Sequence, residues 1–178
     1  MIEEESLMTL IESKIRQGEF EAIQAEWVRK VEKEINHPKS LQLKRAMKST
    51  HHYYRPSIVL QQDVRDEKGR LLFPKGLQVN ALDSMPTYTP YWLFINAEDE
   101  AQVRWVMHQL IRLPHAKVIL TGGVISDMQY QLQRPVYFDQ GGRITQKLGI
   151  TSVPARVSRD KNRLLIEEIS IREDFDAS

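Results

Sequence analysis

Apolar positions recur at three- and four-residue steps over the first 36 residues. Leu7, Leu10, Ile11 and Ile15 mark one stripe, Gly18 interrupts it, and Phe20, Ile23, Trp27, Val31 and Ile35 resume it with Glu, Lys and Arg between. That spacing predicts helix with one apolar face, and Asn36-His37-Pro38 ends it. Further on the period shortens. Ile58-Val59-Leu60 and Val64 read as strand, Asp66-Glu67-Lys68-Gly69-Arg70 as a hairpin turn, and Leu71-Leu72-Phe73 as the returning strand. Pro74-Lys75-Gly76 turns the chain again, and Leu77 and Val79 alternate after it. Hairpins this small need cover from a sheet or a helix.

From Tyr91 the order becomes α/β. Tyr91–Asn96 is a near-continuous apolar run, as a central strand buried on both faces requires. Ala97-Glu98-Asp99 opens a helix with Val103, Val106, Met107, Leu110 and Ile111 on its buried face. Lys117–Thr121 is a second buried strand closed by Gly122-Gly123, and Val124–Leu132 a short helix with Ser126 as a candidate cap. Val136–Phe138 is β-prone, Asp139-Gln140-Gly141-Gly142 is turn chemistry, and Ile144–Leu148 gives a helical turn or two that Gly149 stops. Ile150 then leads to Val153-Pro154 and a strand at Ala155–Val157, after which Leu164-Leu165-Ile166 with Ile169 and Ile171 form the last strand. A small helix, a glycine stop, an isoleucine, Val-Pro and a strand resemble the segment that thioredoxin-like folds place opposite their active site, with the proline in cis. The order and spacing therefore predict a cis Pro154 and an α/β, cysteine-less, thioredoxin-like C-terminal domain. The chain divides accordingly into an N-terminal helical segment and basic linker (residues 1–52), a small β unit (53–90) and the thioredoxin-like domain (91–178). Residues 37–55 carry Lys39, Lys44, Arg45, Lys48, His51, His52 and Arg55 with no acid among them, and read as a solvated connector.

Charge and composition narrow the functions. The 25 basic residues nearly balance the 24 acidic ones, leaving a net charge of +1 across 178 residues. A broad nucleic-acid surface needs a clear basic excess. No apolar run approaches the roughly 20 residues of a membrane span. The opening Met1-Ile2-Glu3-Glu4-Glu5 is acidic where a leader would be basic, so no signal peptide is expected within this chain. Cysteine is absent, which excludes disulfides, thiolate nucleophiles and cysteine–metal sites.

That absence decides the chemistry. Redox thioredoxins carry Cys-x-x-Cys at the start of the helix after the central strand, where the helix N-terminus lowers the thiol pKa. Here the place is taken by Asn96-Ala97-Glu98-Asp99. The carboxylates suit a helix start, Gly122-Gly123 is a turn without a phosphate-binding Lys, and His51-His52 has no third ligand at matching spacing. No catalytic residue, cofactor site or metal site is expected. A redox-dead groove retains a backbone edge that an extended peptide can join by strand addition. Ser152, Val153 and Pro154, flanked by Asn96 and Ala97, are the residues so placed. The stripe Phe20, Ile23, Trp27 and Val31 is the other candidate docking surface, unless it packs on the chain's own body.

With these residues laid out, the chain resembles the TraW family of F-type conjugation systems. The matching pieces, in order, include Tyr54-Arg55-Pro56-Ser57, Gln62-Asp63-Val64-Arg65-Asp66, Leu93-Phe94-Ile95-Asn96 and Val118-Ile119-Leu120. Most specific are Val136-Tyr137-Phe138-Asp139-Gln140 and Leu148-Gly149-Ile150 followed by Val153-Pro154-Ala155-Arg156-Val157. The resemblance implies a non-catalytic periplasmic protein of Gram-negative bacteria, needed for pilus assembly in a type IV secretion apparatus, and a TrbC-like thioredoxin-fold partner. Asn80-Ala81-Leu82 stands where the family often has Asn-Pro-Leu. The alternative from the same residues is a free-standing, redox-inactive, peptide-binding chaperone. A glutathione-transferase reading would place a large helical domain after the last strand, where this sequence has only Arg172–Ser178.

Overall fold

The computed structural model describes residues 19–171, and the chain separates into two compact units after Pro38. In the first, α1 spans Glu19–Asn36, and the His37 amide donates to the Lys33 carbonyl at 2.9 Å to close its last turn. Trp27 and Ile35 are 65% and 61% exposed, and Val31 is half-buried. The stripe expected at Leu7–Ile15, and the side chains of Phe20 and Ile23, lie outside the described residues.

The second unit is mixed α/β, built on a six-stranded mixed sheet. Its strands are β2 (Thr50–Tyr54), β7 (Tyr91–Asn96), β8 (Lys117–Gly122), β9 (Val136–Phe138), β11 (Ala155–Asp160) and β12 (Arg163–Glu168). They lie side by side in the order β2-β12-β11-β7-β8-β9. The β7-β8 and β8-β9 pairs are parallel, and the other three pairs are antiparallel. Helix α2 (Glu100–Arg112) joins β7 to β8, and α3 (Ile125–Leu132) precedes β9. Helix α4 (Arg143–Leu148) ends on Gly149, whose φ of +70° is the left-handed stop its position predicts.

Two apolar layers cover the central strands. Leu93 and Ile95 of β7 and Val118 and Leu120 of β8 pack with Val103, Trp105 and Val106 of α2 and Met128 of α3. On the opposite face Phe94, Ile119, Val157 and Ile166 pack with Leu148, Ile150, Val153 and Leu82. Asp139 does more than turn the chain. It is 1% exposed, and its carboxylate accepts the Ile144 and Thr145 amides at 2.9 Å, satisfying the first orphan donors of α4.

Four expectations are corrected. Met107 and Ile111, expected on the buried face of α2, are 42% and 78% exposed, and the buried face is Gln102, Val103, Trp105 and Val106. The basic stretch read as a solvated connector instead forms β1 (Lys44–Arg45) and the edge strand β2, whose Tyr54, His52 and Thr50 pair with Leu164, Ile166 and Glu168. An edge strand buries one face only, so His-His-Tyr-Tyr carries too little apolar alternation to stand out. Ser126 lies inside α3, whose first turn follows Val124 without a side-chain cap. The last strand stops at Glu168, short of Ile169 and Ile171.

The small β unit consists of β3 (Ser57–Val59) paired with β6 (Gln78–Asn80), and β4 (Val64–Arg65) paired with β5 (Leu71–Phe73). Asp66 accepts the Lys68 and Arg70 amides at 2.9 Å, which fixes the hairpin turn. The Arg70 amide, then its guanidinium, holds the half-buried Asp66 carboxyl below the usual carboxylate range. Leu72 and Phe73 remain about half exposed, at 53% and 49%. A single guanidinium pins the loop that follows. Arg159 donates to the carbonyls of Leu82 at 3.0 Å, Tyr88 at 2.7 Å and Met85 at 2.5 Å. Asn80 adds to the anchor, donating to Asn162 O at 2.5 Å and accepting the Leu82 amide at 3.0 Å.

Lysine has one ammonium and cannot serve three carbonyls in a plane. Arg159→Lys should therefore cost about 1–2 kcal/mol and open residues 83–90 to limited proteolysis, read as a new cleavage by mass spectrometry. Unchanged resistance there would show that the loop is held by something else.

Candidate functional site

The site lies where β7 and β8 end side by side. Asp99 caps α2, accepting the Ala101 amide at 3.0 Å and the Gln102 amide at 3.4 Å. The Gln102 side chain, 2% exposed, locks this corner. It accepts the Asn96 amide at 2.9 Å and donates to Asp99 at 3.0 Å. Asn96 in turn accepts the Glu98 amide at 3.0 Å, and the Ala97 amide donates to the Gly122 carbonyl at 2.9 Å. The carboxylate and amide at the helix start are therefore consumed in building the corner.

The two glycines after β8 permit the close approach. A Cβ at Gly122 would lie 2.5 Å from Asn96 Oδ1 and 2.6 Å from Ser40 Oγ. At Gly123, whose φ is +98°, a Cβ would lie 2.6 Å from the Ala97 Cβ.

The Val153–Pro154 peptide is cis. Val153 and Pro154 are buried, while Ser152, Asn96 and Ala97 are half-buried, so the structure brings the five predicted residues to one end of the sheet. It does not leave them open. Ser152–Val153 forms β10, which pairs in parallel with β1, Lys44 opposite Ser152 and Arg45 opposite Val153. The Ala46 amide donates to Val153 O at 2.9 Å, and the Leu41 amide to Thr121 O at 2.8 Å. Arg45 reaches Asp99 at 3.6 Å and donates to the Ile171 carbonyl at 3.4 Å. The edge expected to receive a foreign peptide is thus occupied by residues 40–46 of the chain itself. Sequence reading missed this because the arm is held largely by its backbone, and its side-chain period is confined to Leu41, Leu43 and Arg45.

Glu168 is the second element that sequence reading missed. It is 8% exposed, and it accepts the Thr151 amide at 2.6 Å, the Ser152 amide at 3.1 Å and the Ser152 hydroxyl at 2.7 Å. The Thr50 hydroxyl joins them at 3.3 Å. Burial alone would push this carboxyl up, but the Ser152 hydroxyl and the two amides outweigh it and hold the group below the usual range. Glu168 thereby fixes the approach to β10 from behind.

The remaining candidate chemistry is dispersed. His52 Nε2 donates to the Leu148 carbonyl at 2.7 Å, and His51 meets Tyr53 edge to face, so the histidine pair serves the sheet. Among the described residues no group of three or more His, Asp or Glu side chains is placed to hold a metal ion. Nor is any helix among them long and apolar enough to cross a membrane. A cavity of about 480 Å³, lined by none of the five predicted residues, lies between α2 and the strands β11, β12 and β2. Trp105 and His108 line one wall, and the Arg156–Glu167 pair, 2.8 Å apart, lines the other.

Comparison with known proteins gives one informative match. The chain is 44% identical over 103 residues to Protein TraW of Escherichia coli (strain K12), an alignment covering 58% of this chain and 49% of that protein. The resemblance to the TraW family is thereby shown, and the chain spans about half the length of the curated relative it matches. No family model matches, and no solved structure does.

Removing the Glu168 acceptor leaves part-buried donors to be met by water. Glu168→Ala should destabilise the fold by about 1–2 kcal/mol, since a hydrogen bond to a charged group contributes roughly 1.5–3 kcal/mol and partial exposure reduces the loss. The pH dependence has a definite sign. The folded carboxyl titrates below the unfolded one, so its contribution is complete above the ordinary glutamate pKa of about 4.3 and drains as pH falls through the lower folded value. The gap in urea midpoint between wild type and Glu168→Gln should be widest near neutrality and close on acidification. A gap independent of pH would show that the charge is not what binds these donors.

Proposed function

We propose that this chain, a relative of the TraW family, works in conjugative transfer. In this reading it is a non-catalytic, periplasmic component of a type IV secretion system, needed for pilus assembly, that acts by binding other proteins. The 44% identity to TraW over 103 residues carries the reading. The binding partner is a TrbC-like protein of thioredoxin fold, with the exposed Trp27 and the half-buried Val31 on α1 among the contacts it would use.

The architecture supports a thioredoxin-like scaffold emptied of its chemistry. Strands β8, β7, β11 and β12 stand in that order, a helix links the parallel pair, a hairpin closes the other side, and a cis proline precedes β11. Asp99, at the place of the redox thiols, is taken up as a helix cap by Ala101 and Gln102. Occupation of the β10 edge by β1 favours a dedicated partner over a free-standing chaperone, since a chaperone needs its groove open to many clients.

Mixing the purified chain with a TrbC-like protein from the same transfer system should give a complex at micromolar concentration by isothermal titration. Trp27→Ala should weaken it by about tenfold, the usual weight of a central aromatic anchor. No association at that concentration would overturn the partner assignment.

A further inference from the structure

The arm of residues 40–46 has the construction of an occupant rather than of a sheet member. Its ladder with β10 is two residues long, against six paired positions between β11 and β12. Outside that ladder it is held by the Leu41 and Ala46 amides and by the Arg45 contacts to Asp99 and Ile171 O. From Leu41 to Arg45 its side chains alternate: Leu41, Leu43 and Arg45 are half-buried, while Gln42 and Lys44 are exposed, and Ala46 at its end is buried. Leu43 packs on the layer formed by Val153, Ile150 and Phe94. Gln42 sits at φ +54°, a left-handed conformation that a non-glycine residue adopts at a cost.

We propose that residues 40–46 are a displaceable plug, and that the edge they cover is a latent docking site for a partner protein's segment of the same chemistry. That segment presents two leucine-sized side chains at alternate positions and a base two residues further on. The leucines fill the places of Leu41 and Leu43, and the base meets Asp99. Exchange is favourable in kind because backbone bonds to Thr121 and Val153 are traded one for one. The cost is the local effective concentration of the tethered arm, of millimolar order for a short connection. A partner therefore gains access by matching the arm closely or by arriving when the arm is loosened. The inference does not depend on the conjugation reading, since it concerns only this chain's own groove.

The test uses the full chain and a fluorescent synthetic peptide of residues Lys39–Met47. Gln42→Pro loosens the arm without touching the groove, because proline cannot take positive φ and Gln42 is exposed. By fluorescence anisotropy the peptide should bind Gln42→Pro about tenfold more tightly than wild type. A peptide with Asp at both leucine positions should not bind. Equal affinities for the two proteins, with the Gln42→Pro fold intact by near-UV circular dichroism, would overturn the proposal. So would a Gln42→Pro dimer that excludes the peptide, since the edge would then belong to a second copy.

Hydrogen exchange on the wild-type chain tests the same point if Gln42→Pro fails to fold. The Leu41 and Ala46 amides should exchange at least a hundredfold faster than those of Leu93 and Val118. Exchange of all four together, only on global unfolding, would show that the arm does not detach.

Discussion

Leu93, Phe94 and Ile95 are wholly withdrawn from water. Consecutive side chains on a strand point to opposite faces, so this one run obliges the fold to have a layer on each side. Helices α2 and α3 supply one layer. The other comes from α4, Ile150, Val153 and Leu82, with Leu43 packed against it. Truncating any of the three would forfeit about 2–5 kcal/mol, a large share of what holds a domain of this size together. The position of the site follows from the same constraint. A strand buried on both faces and followed at once by a helix leaves the helix start at the end of the sheet. There Asn96, Asp99 and the glycine pair meet the loop before Pro154.

At that corner every conspicuous polar group has a structural task. Asp99 caps, Gln102 bridges, Asn96 closes a turn, and Glu168 gathers the donors that precede β10. The result is a rigid frame with one soft part, the arm lying across it. Stiff surroundings and a weakly held strand are what a selective docking edge requires. The frame stays organised when the strand leaves, so an incoming segment meets a formed surface.

Regularity governed how much of this could be read in advance. The Tyr91–Asn96 run, the helix at Glu100–Arg112, the glycine stop at 149 and the cis proline each leave a compact local mark, and each is found where that mark places it. The coming together of Asn96, Ala97, Ser152, Val153 and Pro154 followed from topology alone. What escaped was held by long-range polar contacts. Nothing in Glu167-Glu168 separates a solvated acid from one that binds two amides. Residues 40–54 looked like a basic tether because an edge strand and a backbone-bonded arm need little apolar content. The edge at these five residues was thus expected to be open and is occupied by the chain's own arm.

Strand β2 is fastened by two side chains of unlike character. At one end the Thr50 hydroxyl leans on the Glu168 carboxylate, and two residues on His52 gives a ring N–H to the carbonyl that ends α4. A carbonyl only accepts, so His52 must present hydrogen at Nε2. Loss of the Glu168 charge, which its donors hold off until below the ordinary glutamate range, therefore weakens one fastening and leaves the other. In strongly acidic surroundings this border of the sheet should fray directionally, peeling from Thr50 while the His52 end stays seated.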